Sequence, residues 1–331
     1  MATGNGAYVV HRLLEEKISG YRIKSYNPYQ TLFPPLLLKH MKGINKNNTD
    51  IIHTTPDYGF FFYKKDIPLV LTLHNFVLDR FMFEYSSLMQ NIHYMTDLKL
   101  FTSLALNRAT KITAVSNYTA KLAKDFFGLE KDIEVIHNGV DCNKFVPNRE
   151  TSKNKKEIKV LYAGNLTIRK GVNFLPGIVK LLDSNISVFC TGGLRKETPR
   201  SIDLSNINML GNIPYEKMPK LYPEFDILLM PTVREGLPLV VLEAMACGLP
   251  VIATDCSSLP ELIDNEKGGY LCELGATAVF AEKINLLAAS QSLRTDMGEY
   301  NRNKVESLFT LHTMINSYNN LFEKITLNTT E

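Results

Sequence analysis

The chain has 331 residues, of which 45% are hydrophobic and 21% charged, with 19 Gly and 15 Pro. That composition belongs to ordinary globular domains and excludes a disordered or fibrous chain, while the length asks for two cores of usual size. The net charge of +3 is too mild for a nucleic-acid-binding domain; residues 1–150 hold 18 Lys and Arg against 14 Asp and Glu, a basic bias that suits scattered solvated charge or weak attraction to an anionic lipid surface.

In chain order, the first predicted element is a helix over Ala7–Lys17. Short apolar runs rich in β-branched residues follow at Asp50–His53, Pro68–Leu73, Lys111–Val115 and Ile133–Ile136, alternating with amphipathic stretches as in βαβ units with parallel sheets. Ser116 is placed to cap a helix over Asn117–Phe127, which Gly128 ends. The region Asn75–Leu106, crowded with Phe, Tyr, Met and Leu, has two readings: a pair of buried helices, or an acceptor- or membrane-facing surface with exposed aromatics.

The polar stretch Asn148–Lys156 lacks apolar residues and reads as an interdomain linker. Beyond it a second strand series runs through Ile158–Ala163, Ile186–Cys190, Ile207–Leu210, Asp226–Met230 and Leu249–Thr254, and a helical tail covers Ala276 to Lys324. The expected organisation is therefore an N-terminal Rossmann-like α/β domain over residues 1–150 and a second over 151–308, with a C-terminal helix over 309–331 packing back on the first. The default ligand site is a cleft between two such domains. The five cysteines, at 142, 190, 247, 256 and 272, include no CxxC pair, and no apolar run reaches the ~20 residues that cross a bilayer. The pattern suits a cytoplasmic protein, at most peripheral at the inner membrane face.

Chemistry is densest at Glu235–Ala253, EGLPLVVLEAMACGLPVIA. Pro238 suits a first helical turn, Gly248 the left-handed residue after the helix, and Pro250 prevents continuation. The helix start near Leu239 and Val240 presents unpaired N–H groups and the positive end of the macrodipole, which together bind phosphate. Glu235 before the helix and Glu243 within it flank that anion site, and a carboxylate accepts two hydrogen bonds from vicinal hydroxyls. An anion site between two hydroxyl-binding carboxylates fits a nucleoside diphosphate sugar; an ordinary helix with two exposed glutamates is the alternative.

The E-x7-E spacing followed by EAMACGLPVIAT resembles the signature of the retaining glycosyltransferases of family 4, which have the GT-B fold. LYAGNLTIRKGVNFL at Leu161–Leu175 resembles that family's second-domain phosphate loop. ITAVSNYTA and VIHNGVDCNKF resemble the end of its first domain, and TLHNF at Thr72–Phe76 the segment with its cleft histidine. The resemblance implies that Glu243 binds the donor ribose, Glu235 contacts the transferred sugar, and Lys170 neutralises the diphosphate. It also places the amides of Leu239 and Val240 on phosphate, Gly164 in the loop turn, and His74 beside the sugar. It further implies a UDP-sugar or GDP-mannose donor, a saccharide or lipid-linked acceptor, and no metal.

Two departures stand against the family pattern. Asn165 occupies the position of the loop arginine, leaving Arg169 as the replacement cation. MATGNGAYVV resembles the glycine-rich turn, with Gly4 and Gly6 approaching the donor, that normally follows a first strand. That strand is expected to be missing from the first sheet. The competing expectation is a catalytically impaired nucleotide-sugar-binding subunit of the same fold.

Overall fold

The computed structural model describes residues 6–148, 157–192, 198 and 201–328. Gly4 and all but Asn148 of the polar stretch 148–156 lie outside the described residues. The chain divides into two compact units, one made of residues 1–138 with 312–331, the other of residues 139–311.

The first unit carries a four-stranded parallel sheet in chain order: β1 (Ile52–Thr54), β2 (Leu69–Leu73), β3 (Lys111–Ala114) and β4 (Ile133–Val135). All five residues of β2 are buried, as a parallel strand covered on both faces requires. Among the described residues the first element is the helix Gly6–Lys17, and no strand precedes it. β1 is accordingly an edge strand, beside a cavity of about 950 Å³ lined in part by Tyr21, Ile44, His53 and Phe322. The helix Asn117–Phe127 begins where Ser116 Oγ accepts from the amide of Thr119 and stops at Gly128, whose φ of 60° only glycine adopts readily.

The region 75–106 differs from a pair of buried helices. A 3-10 turn over Arg80–Tyr85 leads into one helical run, Leu88–His93, a π turn over Tyr94–Leu98, then Lys99–Arg108. The start of the region is anchored in the core through Phe76 and Leu78 and its later part through Leu98, Ala105 and Leu106. The first turns are held by a capping box in which Ser87 and Gln90 satisfy each other's backbone, so the helix starts without burying a face. Leu88, Met89, Ile92 and Met95 are exposed there, and Phe81 in the preceding 3-10 turn is an exposed aromatic of the region.

The second unit carries six parallel strands: β5 (Ile158–Ala163), β6 (Ile186–Thr191), β7 (Asn208–Gly211), β8 (Ile227–Met230), β9 (Val251–Thr254) and β10 (Gly269–Cys272). Their order is β10-β9-β8-β5-β6-β7. The chain starts in the middle, winds out one way and returns on the other side of β5. The strand order therefore reverses between β5 and β8, which pair at Val160–Ile227 and Leu161–Leu228. Loops leaving two strands at such a switch point diverge and leave a crevice at their carboxyl ends. The sequence pattern did not mark β10, because GGYLC offers only three apolar residues after a glycine pair.

Arg302, on the helix Gln291–Leu308, fastens this unit. Its guanidinium donates to the carbonyls of Phe145 at 2.6 Å, Ala246 at 2.7 Å and Cys142 at 2.9 Å. Ala246 ends the helix Leu239–Ala246, so the cation also meets the negative end of that helix. Arg302→Met leaves these carbonyls without a donor and is expected to lower unfolding free energy by about 3 kcal/mol in urea titration. A loss below about 1 kcal/mol would show that water replaces the guanidinium freely.

Candidate functional site

Two loops meet at the switch point of the second unit. One follows β5 from Gly164 to Gly171; the other follows β8 from Pro231 to Pro238. They are stitched by main-chain and side-chain bonds: the amide of Val233 donates to the Arg169 carbonyl at 2.9 Å, and Arg169 Nη1 donates to the Arg234 carbonyl at 3.2 Å. The Tyr162 hydroxyl lies 3.1 Å from the Asn165 carbonyl and 3.0 Å from that of Lys170, pinning the first loop from below. Gly171 has φ of 80°, and a Cβ there would lie 1.8 Å from the Pro231 carbonyl oxygen. Only glycine lets the two loops approach this closely.

That approach brings Lys170 and Glu235 together. Lys170 Nζ donates to Glu235 Oε1 at 2.5 Å, with side-chain exposures of 19% and 7%. The Thr232 hydroxyl lies 2.9 Å from the same oxygen, and the Glu235 amide donates to Ser257 Oγ at 3.0 Å. Burial pushes the Glu235 carboxyl up, but Lys170 and Arg169 together with the bonds from Lys170 and Thr232 outweigh it, and the group titrates below its ordinary value. Burial also lowers the Lys170 pKa, against the opposing pull of Glu235, with Arg169 adding to the lowering. The result is a buried ion pair with the Arg169 guanidinium beside it.

The helix Leu239–Ala246 starts just beyond. Pro238 is its N-cap, with φ −72° and ψ 121°, one position earlier than a first-turn proline, and no side chain caps the helix. Leu239 and Val240 hold its first two N–H groups, which precede any acceptor within the helix. Glu243 points into a different environment. It is buried, accepts from the Tyr222 hydroxyl at 2.7 Å, and is pushed up to about 7 by burial, against the lowering effect of bonds from Tyr222 and Tyr215. Glu235 is thus held ionised, whereas Glu243 titrates near neutral pH.

Of the residues singled out in the sequence, the structure gathers Lys170, Arg169 and Glu235 at one point, with Gly164 and Asn165 in the same loop and Leu239, Val240 and Glu243 on the adjoining helix. Asn165 is exposed, and its carbonyl rather than its position in a cation pair is what the loop uses. Thr232, Tyr222 and Ser257 also belong to the arrangement and carried no signal in the sequence. Ser257 has φ of 51°, a backbone state uncommon for serine, and that strain sits directly on the Glu235 amide.

His74 belongs to the first unit. Its Nε2 faces His11 Nε2 at 3.4 Å, the first link of a buried chain. His11 Nδ1 meets the Tyr21 hydroxyl at 2.6 Å, which meets His53 Nδ1 at 2.9 Å, and His53 Nε2 meets Thr72 Oγ1 at 2.6 Å. Burial lowers His74 to about 4 and, with the charge of His74, His53 to about 3, so both are neutral at pH 7. Three separate chain segments supply this network, which no local pattern shows. Among the described residues no three His, Cys, Asp or Glu side chains come together as a metal-holding group, and no helix is long and apolar enough to cross a membrane.

Comparison with known proteins adds to this geometry. Residues 7–144 match the family model described as Glycosyltransferase Family 4, and residues 146–304 match Glycosyl transferases group 1. An uncharacterized glycosyltransferase of Methanocaldococcus jannaschii is 28% identical over 71% of this chain and 63% of its own. The N-acetyl-alpha-D-glucosaminyl L-malate synthase of Bacillus anthracis is 24% identical over 93% of this chain and 82% of its own. Among solved structures, Anabaena HepE in complex with UDP and glucose superposes with a TM-score of 0.78 at 16% identity, covering 96% of each chain.

The raised Glu243 carboxyl couples stability to pH. A group that holds its proton more tightly when folded makes the fold less stable as pH rises from its unfolded value, 4.5, to its folded value, about 7. Relative to Glu243→Gln, which has no such proton, the wild-type chain should therefore lose about 3 kcal/mol of unfolding free energy between pH 4.5 and 7.5. A wild-type-to-variant difference independent of pH would contradict the raised value.

Proposed function

From the finding that this chain belongs to the family 4 glycosyltransferases, with the GT-B fold, we propose that it moves a hexose from a nucleoside-diphosphate sugar to a saccharide or lipid-linked acceptor, with retention at the anomeric carbon and without a metal ion. The observation that carries this reading is the buried Lys170–Glu235 pair set beside the uncapped start of the helix Leu239–Ala246.

The chemistry that such a site performs is charge handling. When the sugar–oxygen bond breaks, its electron pair passes to the departing diphosphate, and positive character develops on the sugar ring. Lys170, Arg169 and the amides of Leu239 and Val240 are donors fixed where the diphosphate charge grows. They need no reorganisation at the moment of reaction. Glu235, held ionised, accepts bonds from sugar hydroxyls and lies close to the developing positive charge. Glu243 takes the ribose hydroxyls. The acceptor hydroxyl attacks on the face the diphosphate leaves, and its proton passes to the departing phosphate oxygen. His74, neutral by burial, takes part as a hydrogen-bond donor to the sugar. UDP is the first nucleotide to test, because the Anabaena neighbour of the same fold holds UDP and glucose.

Thermal-shift measurement against UDP, GDP and ADP separates binding from transfer, since a ligand bound only by the folded state raises its melting temperature. One nucleoside diphosphate is expected to stabilise the chain. Glu243→Ala should abolish that shift, whereas Glu235→Ala and His74→Ala keep it and lower turnover, measured as nucleotide release, by about a hundredfold or more. EDTA should leave turnover unchanged. An undiminished shift in Glu243→Ala would remove the ribose assignment, and full turnover in Glu235→Ala would remove the catalytic one.

A further inference from the structure

The hydrogen-bonded chain that ends on His74 allows only two arrangements of its protons. Its links run His74 Nε2 to His11 Nε2, His11 Nδ1 to the Tyr21 hydroxyl, that hydroxyl to His53 Nδ1, and His53 Nε2 to Thr72 Oγ1. Beyond Thr72 lie the hydroxyls of Thr113 on β3, at 2.7 Å, and of Tyr318 on the helix Leu311–Leu327, at 3.3 Å. His11, Thr72, Thr113 and Tyr318 are buried, and the His11 ring lies against both His53 and His74, with centroids 4.6 Å and 5.4 Å away. Burial and the neighbouring rings lower His11 as they lower His53, and burial lowers His74, so each imidazole holds a single proton at pH 7. A neutral imidazole donates from one nitrogen and accepts at the other, and the Tyr21 hydroxyl has one proton to give. The links are therefore not independent: the direction of one fixes the next.

If His11 donates to Tyr21, its Nε2 is bare and His74 must donate from Nε2. If Tyr21 donates to His11, then His11 donates to His74 Nε2, and His74 carries its own proton on Nδ1. The Thr72 end favours the second arrangement. Thr113 is the residue in register with Thr72 on the adjoining strand, and Tyr318 brings a phenol, whose proton is more acidic than that of an alkyl hydroxyl. With both hydroxyls donating, the two lone pairs of Thr72 Oγ1 are filled and its proton goes to His53 Nε2. His53 then donates from Nδ1 to Tyr21, Tyr21 to His11, and His11 from Nε2 to His74.

We propose that His11, Tyr21 and His53 are positioning residues that hold His74 in the Nδ1–H tautomer, so that the ring nitrogen not engaged by His11 is the one that offers a proton to the transferred sugar. The use of that proton rests on the transferase reading given above. The tautomer itself is a property of the first unit alone and is tested without substrate.

Long-range proton–nitrogen correlation spectra of the full chain, labelled at the histidine nitrogens, distinguish the two tautomers, and comparison with His74→Gln assigns the His74 ring. The wild-type chain is expected to show His74 protonated on Nδ1 alone. Tyr21→Phe removes the hydroxyl that links His11 to His53. His74 should then show a mixture of tautomers, with turnover, measured as nucleotide release, lower by about fivefold and the nucleotide thermal shift unchanged. Should Tyr21→Phe fail to fold, Thr72→Val interrupts the same chain at its far end and gives the same readout. A wild-type His74 protonated on Nε2 would overturn the proposal. So would a His74 tautomer that the folded variant leaves unmoved, the mark of a network that only supports the fold. A wild-type chain that releases no nucleotide would remove the transferase reading and leave the ring spectra to decide this one.

Discussion

The site depends on one contact, the charge pair between Lys170 on the loop after β5 and Glu235 on the loop after β8. Nothing about it is economical for folding. Two ions are withdrawn from water, and a pair of well-packed apolar side chains would often stabilise the same position as well or better. The surrounding structure is nonetheless arranged to keep it: Gly171 allows the loops to touch, Thr232 fills a remaining acceptor site, and strained Ser257 holds the Glu235 amide. Under the proposed function, a contact maintained at that cost at the switch point of a doubly wound sheet serves a ligand that needs a cation and an acid at fixed positions.

The second acid shows how environment rather than residue type sets charge. Glu235 faces two cations and stays ionised; eight residues on, Glu243 faces tyrosine hydroxyls in a buried setting and rises to about 7. Two carboxylates with values driven apart in this way are suited to different tasks. Between them lies the uncapped helix start, the part of the arrangement that carries positive potential without any charged side chain. Arg302 holds the far end of the same helix through the Ala246 carbonyl, so a cation fixes one end while no side chain caps the other.

Much of this was legible in the sequence, for identifiable reasons. Buried parallel strands read as unbroken apolar runs, and LVLTL and ILLM were placed to within a residue of β2 and β8. Ser116 and Gly128 marked a helix because cap chemistry is local. The motif Glu235–Ala253 could be assigned strand, turn and helix because proline and glycine punctuate it. What escaped was non-local. Tyr222 and Thr232 look like ordinary core and turn residues until the fold sets their hydroxyls on Glu243 and Glu235. His11, Tyr21 and His53 lie far apart in the chain, and their network exists only once β1 and the first helix are packed. The apolar crowd at 75–106 left two readings open because hydrophobicity alone does not say where a segment finds cover, and the structure divides it: Phe76, Leu78, Leu98, Ala105 and Leu106 join the core, while Leu88, Met89, Ile92 and Met95 are exposed.

The most direct test of the central contact is a crystal structure of the protein with the nucleoside diphosphate that raises its melting temperature. The account predicts diphosphate oxygens within about 3 Å of Lys170 Nζ and of the amides of Leu239 and Val240, with the ribose hydroxyls on Glu243. A nucleotide bound elsewhere, with Lys170 still engaged by Glu235 alone and the helix start facing water, would contradict it.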